Sequence, residues 1–276
     1  MNWLFVIGMG ILFGLFGRIS LPLSYFIAQI EDGTECNKCV NQHVCFARKK
    51  IPGMQSNYVD ELTLFAFLRI RKQCAFVIKC NMQENVLYLA GNTILTGLLF
   101  WSMGSSLDTF LCCVSTAALL ALSVVDWKTQ YIPVEFNVII ILCGLIRIFA
   151  DLSNWLEYAI GLFAVSGFLF LIDKISVPIL RKRYAEKDME IDRAIGDGDI
   201  KLMAATGLLL GWKLNFLALA IGCVAGSVIH LMLMMVKKGE RQFALGPYLS
   251  LGVYITMICG RQLISWYIGI MGVNPL

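Results

Sequence analysis

Two acids at the ends of apolar segments are the residues in this chain best placed to do chemistry. One stands in Gly196-Asp197-Gly198-Asp199-Ile200-Lys201-Leu202, a carboxylate-rich turn where an apolar run begins. Charge beside hydrocarbon is costly and persists where water, a partner or a reaction accommodates it, so Asp199 is a functional candidate. Gly196 and Gly198 remove side-chain bulk and widen the allowed backbone angles, which lets a peptide approach Asp199 closely. The alternative is that Asp199 caps the helix that follows, since Gly and Asp are ordinary helix-start residues. The second acid is Asp126. Two carboxylates brought together near a low-dielectric boundary cannot easily both ionise, and one pKa is pushed up. The ionised member can then deprotonate a water while the protonated one polarises a carbonyl, which is how paired aspartates hydrolyse an amide. The protons belong to the pair rather than to either residue. Two acids capping separate helices are the competing reading.

The elements that must position this pair are set by composition. The chain has 276 residues, 58% hydrophobic and 15% charged, with a mean hydropathy of +0.72, which excludes a soluble domain and predicts an all-α, polytopic membrane protein. The net charge of +4 gives no support for nucleic-acid binding; the bilayer is the main solvent. Trp3 to Phe16, continuing past Arg18 from Ile19 to Ile30, reads as a first span retained in the protein, without a basic region ahead of it or a small-residue cleavage site. Further spans are expected at 86–105, 108–125, 134–150, 155–173, 200–212, 215–236 and 248–268, about eight in all. This divides the chain into a first transmembrane segment over 1–30, a small cytoplasmic cysteine-bearing domain over 31–85 and a transmembrane domain over 86–276.

Lys and Arg crowd alternate connections: the first polar domain, the loop with Arg181, Lys182, Arg183, Lys187 and Arg193, and the loop with Lys237, Lys238 and Arg241. Loops of this kind stay cytoplasmic, so both chain ends face outward. Asp126 ends the third span and Asp199 opens the sixth. An even number of crossings separates them, and both return to the cytoplasmic face.

In the polar domain, Cys36-Asn37-Lys38-Cys39 has the spacing of tetrahedral zinc ligands. Cys74, Cys80, Cys45 and His43 are further candidates. Disulfides are disfavoured on the cytoplasmic side, which leaves zinc and free thiols as the two readings. Cys112, Cys113, Cys143, Cys223 and Cys259 fall in apolar spans and are expected to pack.

The stretch Asp126-Trp127-Lys128-Thr129-Gln130-Tyr131-Ile132-Pro133, the Gly196 to Leu202 turn and Phe243-Ala244-Leu245-Gly246-Pro247-Tyr248-Leu249 together resemble the type IV prepilin leader peptidases. These are GxGD-type aspartic proteases of the bacterial inner membrane. Gly207-Leu208-Leu209-Leu210-Gly211-Trp212 extends the likeness, which covers roughly residues 108–260. The resemblance implies removal, after a glycine at the cytoplasmic membrane face, of the short basic leader of type IV prepilins or type II secretion pseudopilins. It makes Asp126 and Asp199 the catalytic pair and requires no cofactor for proteolysis. Lys201 either orients and charge-compensates the site or anchors a helix at the interface. Gly246 and Pro247 either shape the substrate groove or form the re-entry turn of the last span, with Pro247 at its first helical position. Glu186, Asp188, Glu190 and Asp192 either attract the basic leader or form a solvated loop.

Family members often carry two Cys-x-x-Cys pairs that bind zinc, and many also methylate the new N-terminus with S-adenosylmethionine. In this chain Cys36 and Cys39 form a proper pair, while Cys74 and Cys80 stand six positions apart. Arg18 occupies roughly the place of a family asparagine, no Arg-Leu-Pro follows it, and no glycine-rich strand-to-helix fingerprint is visible, which leaves methylation open. Within the same enzyme class the alternative is a preflagellin-type GxGD protease. Outside it stand a transporter, which calls for charges in mid-span and paired broken helices, and a non-catalytic assembly protein.

Overall fold

The computed structural model describes residues 7–12, 82–130, 132–184, 193–236 and 244–270. Cys36, Cys39, Cys45, Cys74, Cys80 and His43 lie outside them, as do Glu186 to Asp192 and most of the polar domain expected over 31–85. Every regular element among the described residues is helical, as expected for an all-α polytopic membrane protein. The chain forms two compact units, Met1–Ile94 and Leu95–Leu276. In the first, residues 7–12 are helical and Gly10 lies against Thr93, where an added Cβ would come 2.8 Å from the Thr93 Cα.

The second unit starts within α1 (Met82–Met103) and contains α2 (Leu107–Thr129), α3 (Val134–Ala150), a short 3₁₀ turn (Leu152–Asn154), α4 (Trp155–Tyr184), α5 (Asp197–Leu210), α6 (Trp212–Val236) and α7 (Gly246–Ile270). Among the described residues, four helices have stretches long and apolar enough to cross a membrane: Val86–Met103, Leu107–Trp127, Leu152–Arg183 and Trp212–Met232. Local sequence sets the ends. Ser106 caps α2 by accepting a hydrogen bond from the Thr109 N–H at 3.1 Å. Gln130 closes that helix in the left-handed region, φ 54°, and Pro133 opens α3 with φ −62°. The tight connection carrying Ile132 follows from these two stops. The helix expected to end at 173 continues to Tyr184, running through Lys174 and Pro178 and ending on Arg181, Lys182 and Arg183 in its last turn, where cations suit the negative end of the helix dipole.

The organising helix is α5. Its 14 residues rise about 21 Å, well short of the roughly 30 Å hydrocarbon layer. It packs against α3, α4, α6 and α7, and Leu202 to Leu210 are buried except Ala204. So short a helix ends inside the bundle, and its last carbonyls need partners there. Arg147 of α3 donates to the Leu209 carbonyl at 2.8 Å, pairs with Asp108 at 3.2 Å and lies 5.4 Å from the centre of the Tyr158 ring. Gly211, at φ +84°, then turns the chain directly into α6. The break expected near Lys213 therefore falls at Gly211.

Helix packing in a membrane relies on small residues that let backbones touch. A Cβ on Gly161 of α4 would run into the Gly207 carbonyl of α5, and the reverse holds for Gly207. Gly161→Ala is expected to destabilise the detergent-solubilised protein by about 1–3 kcal/mol, the range for overpacking, seen as a lower unfolding midpoint. Gly167→Ala on the same helix meets nothing within 4 Å and leaves the midpoint near the wild-type value. Equal midpoints for the two variants would rule out the α4–α5 contact as the cause.

Candidate active site

The C-terminal end of α2 and the N-terminal ends of α5 and α7 meet at one end of the second unit. Arg147, Asp108 and the end of α5 gather at the other. The first gathering brings together the residues singled out in the sequence. Asp126 sits in the last turn of α2 and is 4% exposed. Its Oδ2 accepts the Gly246 N–H at 3.0 Å. That N–H is in the first turn of α7, one of the donors a helix start leaves without an internal partner, and the helix dipole there favours negative charge. Asp126 thus caps a helix other than its own.

Asp199 is in the first turn of α5 and is 9% exposed. Its N–H donates to the Gly196 carbonyl at 3.1 Å, but Gly196 makes no side-chain cap and the Asp199 Oδ1 is buried without a hydrogen-bond partner. Capping therefore accounts for Asp126 and leaves Asp199 unexplained. The Asp199 carboxyl precedes the apolar run that begins at Ile200. Burial, and after it the charge of Asp126, push its pKa up to about 7. Within reach of each other's field, an ionised and a protonated carboxyl form the more stable pair.

Three glycines frame the pair, each by close approach. A Cβ on Gly196 would stand 2.9 Å from the Asp199 Oδ2, and one on Gly246 would stand 2.6 Å from the Asp126 Oδ2. A Cβ on Gly198 would stand 2.7 Å from the Ile132 Cβ. Ile132, 8% exposed, also comes 3.3 Å from the same added atom on Gly246, so its side chain separates the starts of α5 and α7. Ile132 belongs to the motif after Asp126, yet its wedge role escaped the sequence, where it reads as one more apolar residue before a proline. Beside it Trp127, 57% exposed, meets Tyr248 edge-on with ring centres 6.4 Å apart.

Lys201 is exposed on α5, and Pro247 is half-buried at the second position of α7 rather than the first. No cluster of three or more His, Cys, Asp or Glu that could hold a metal occurs among the described residues.

A profile of the type IV leader peptidase family matches residues 113–231, a span that contains Asp126 and Asp199. The chain is similar to the prepilin leader peptidase/N-methyltransferase of Neisseria gonorrhoeae, 30% identical over 223 residues that cover 76% of this chain and 70% of that one. The protein of that name from Legionella pneumophila is 27% identical over 215 residues, covering 76% and 71%. The one from Burkholderia pseudomallei is 25% identical over 282 residues, covering 94% and 86%. No solved structure matches the chain.

The wedge can be tested by trimming it. Ile132→Val is expected to cost about 0.5–1.5 kcal/mol of stability and Ile132→Ala about 2–5 kcal/mol, measured by unfolding in detergent. A wild-type midpoint for Ile132→Ala would show that the side chain does not hold α5 and α7 apart.

Proposed function

Because the chain belongs to the type IV leader peptidase family, we propose that it removes the basic leader of type IV prepilins or type II secretion pseudopilins, cutting after a glycine. It works at the cytoplasmic face of a bacterial inner membrane, with Asp126 and Asp199 as the catalytic pair. The observation that carries this reading is that two buried carboxyls from helices far apart in sequence stand at the same end of the bundle, near enough for the charge of Asp126 to act on Asp199. The orientation rests on the Lys and Arg bias of the loops.

The chemistry follows from the shared proton. The ionised carboxylate takes a proton from water as that water attacks the scissile carbonyl carbon, while the protonated partner donates to the carbonyl oxygen. The tetrahedral species collapses by breaking the C–N bond: the leaving amine takes the proton held by the pair, and a hydroxyl of the tetrahedral carbon returns one to it as the carboxyl product forms. Water is the nucleophile, and no covalent enzyme intermediate forms. The Gly246 N–H holds Asp126 in place through this cycle. The absence of side chains at Gly196, Gly198 and Gly246 lets the two carboxyls and Ile132 pack directly against the backbone at the helix starts. Lys201, at the start of the same helix, supports the site through its charge.

The relatives' printed names include N-methyltransferase, and we extend the proposal to methylation of the new N-terminus with S-adenosylmethionine. The segment 31–85 is the proposed seat of that activity. Cys36, Cys39, Cys74 and Cys80 in it are zinc ligands or free thiols, and metal content of the purified protein separates the two.

The direct test uses membranes carrying equal amounts of wild type, Asp126→Asn or Asp199→Asn and a prepilin with a basic leader ending in glycine. Wild type is expected to trim the leader, seen as a gel shift, and each variant to lose roughly 10²–10⁴-fold in rate. Variants that cut as fast as wild type would make both acids helix-end groups and favour a non-catalytic assembly or transport role.

A further inference from the structure

A third acid, absent from every motif above, reaches the site from α4. Asp173 is 4% exposed, in a helix with a stretch apolar enough to cross a membrane. An acid in such surroundings persists where it is hydrogen-bonded or does chemistry. Its Oδ1 accepts two consecutive backbone N–H groups, that of Ala194 at 2.7 Å and that of Ile195 at 3.0 Å. These residues immediately precede Gly196, whose carbonyl accepts the N–H groups of Asp199 at 3.1 Å and Ile200 at 3.3 Å and so opens α5. Gly196 also lies so close to the Asp199 Oδ2 that an added Cβ would stand 2.9 Å away. A continuous chain of contacts therefore runs from Asp173 through the 194–196 backbone to the Asp199 carboxylate.

The same turn has a second tie, an ion pair between Arg193 and Asp197, but both side chains are half exposed. Exposed pairs contribute little, whereas a buried carboxylate accepting two backbone N–H groups is a strong, directional anchor. We propose that Asp173 is a positioning residue for leader cleavage: it fixes the strand entering α5 so that Asp199 is held in register with Asp126. It touches neither substrate nor the reacting atoms. This role rests on the paired-carboxylate reading above.

Both N–H groups converge on a single oxygen, so an amide in place of the carboxylate keeps the acceptor and removes only the charge. Asp173→Asn is therefore expected to cleave at close to the wild-type kcat with an unchanged pH profile. Asp173→Ala leaves two amides unanswered and is expected to lose roughly 10–100-fold in kcat, the scale of a small misplacement of a reacting group, with KM little changed. Amide hydrogen exchange over 193–196 is expected to quicken in Asp173→Ala and not in Asp173→Asn. Asp173→Ser, one atom too short to reach the amides, replaces Asp173→Ala if the latter is not recovered folded.

A wild-type kcat for the Ala or Ser variant overturns the proposal. So does an Asn variant that folds but is as slow as the Ala variant, because the charge rather than the acceptor would then be needed. Wild type that fails to cleave, or Asp199→Asn that cleaves normally, overturns the reading of the site itself and this role with it.

Discussion

An ionised carboxylate that leaves water gives up hydration worth several kcal/mol, and a fold can keep it buried only by returning hydrogen bonds or by letting it take up a proton. The two acids at the centre of this protein follow different routes. Asp126 receives a backbone N–H at the start of α7, where the helix dipole favours negative charge. Asp199 has a buried oxygen with no partner and the field of Asp126 beside it, so a proton is the remaining way to stabilise it. The hydrogen bond to Asp126 biases where the proton sits within the pair, to which it belongs. That bias depends on the ends of three helices being held at one place.

That requirement makes sense of the bundle. Helix α5 is too short to cross a bilayer by itself, and it is accommodated because four neighbouring helices bury all of Leu202 to Leu210 except Ala204. Arg147 answers a carbonyl at its far end and is itself answered by Asp108 and the face of Tyr158. Close contact of Gly161 with Gly207 draws the backbones of α4 and α5 together near that far end. At its near end Ile132 occupies the angle between α5 and α7. An ion pair between a buried arginine and a half-exposed aspartate is weak support for stability taken alone, but here the arginine also answers a buried carbonyl at the helix end.

Much of this was legible in the sequence because the bilayer makes length and polarity decisive. The apolar runs that became α2, α3 and α6 were found to within a few residues, and counting crossings placed Asp126 and Asp199 at one face before any contact was known. What escaped were relations between residues distant in the chain. Ile132 looks like any apolar residue before a proline, and nothing nearby says that it faces Gly198 and Gly246. That Asp126 would cap α7, 120 positions away, depends on where α7 begins, and the Pro247 signal misplaced that start by one residue. The α5–α6 break was expected between the spans 200–212 and 215–236, near Lys213, whereas the backbone turns where Gly211 can take up a positive φ.

The sharing of one proton between Asp126 and Asp199 is tested most directly by the pH dependence of leader cleavage. In the proposed mechanism the pair works with one proton, so activity falls on the acid side as the second proton binds and on the alkaline side as the shared proton leaves. The raised pKa of Asp199 places the alkaline limb near pH 7. A bell-shaped profile with that limb is the predicted result. A rate that stays level from about pH 6 to 9, across the range in which the shared proton leaves, would contradict a mechanism in which one carboxyl must hold the proton.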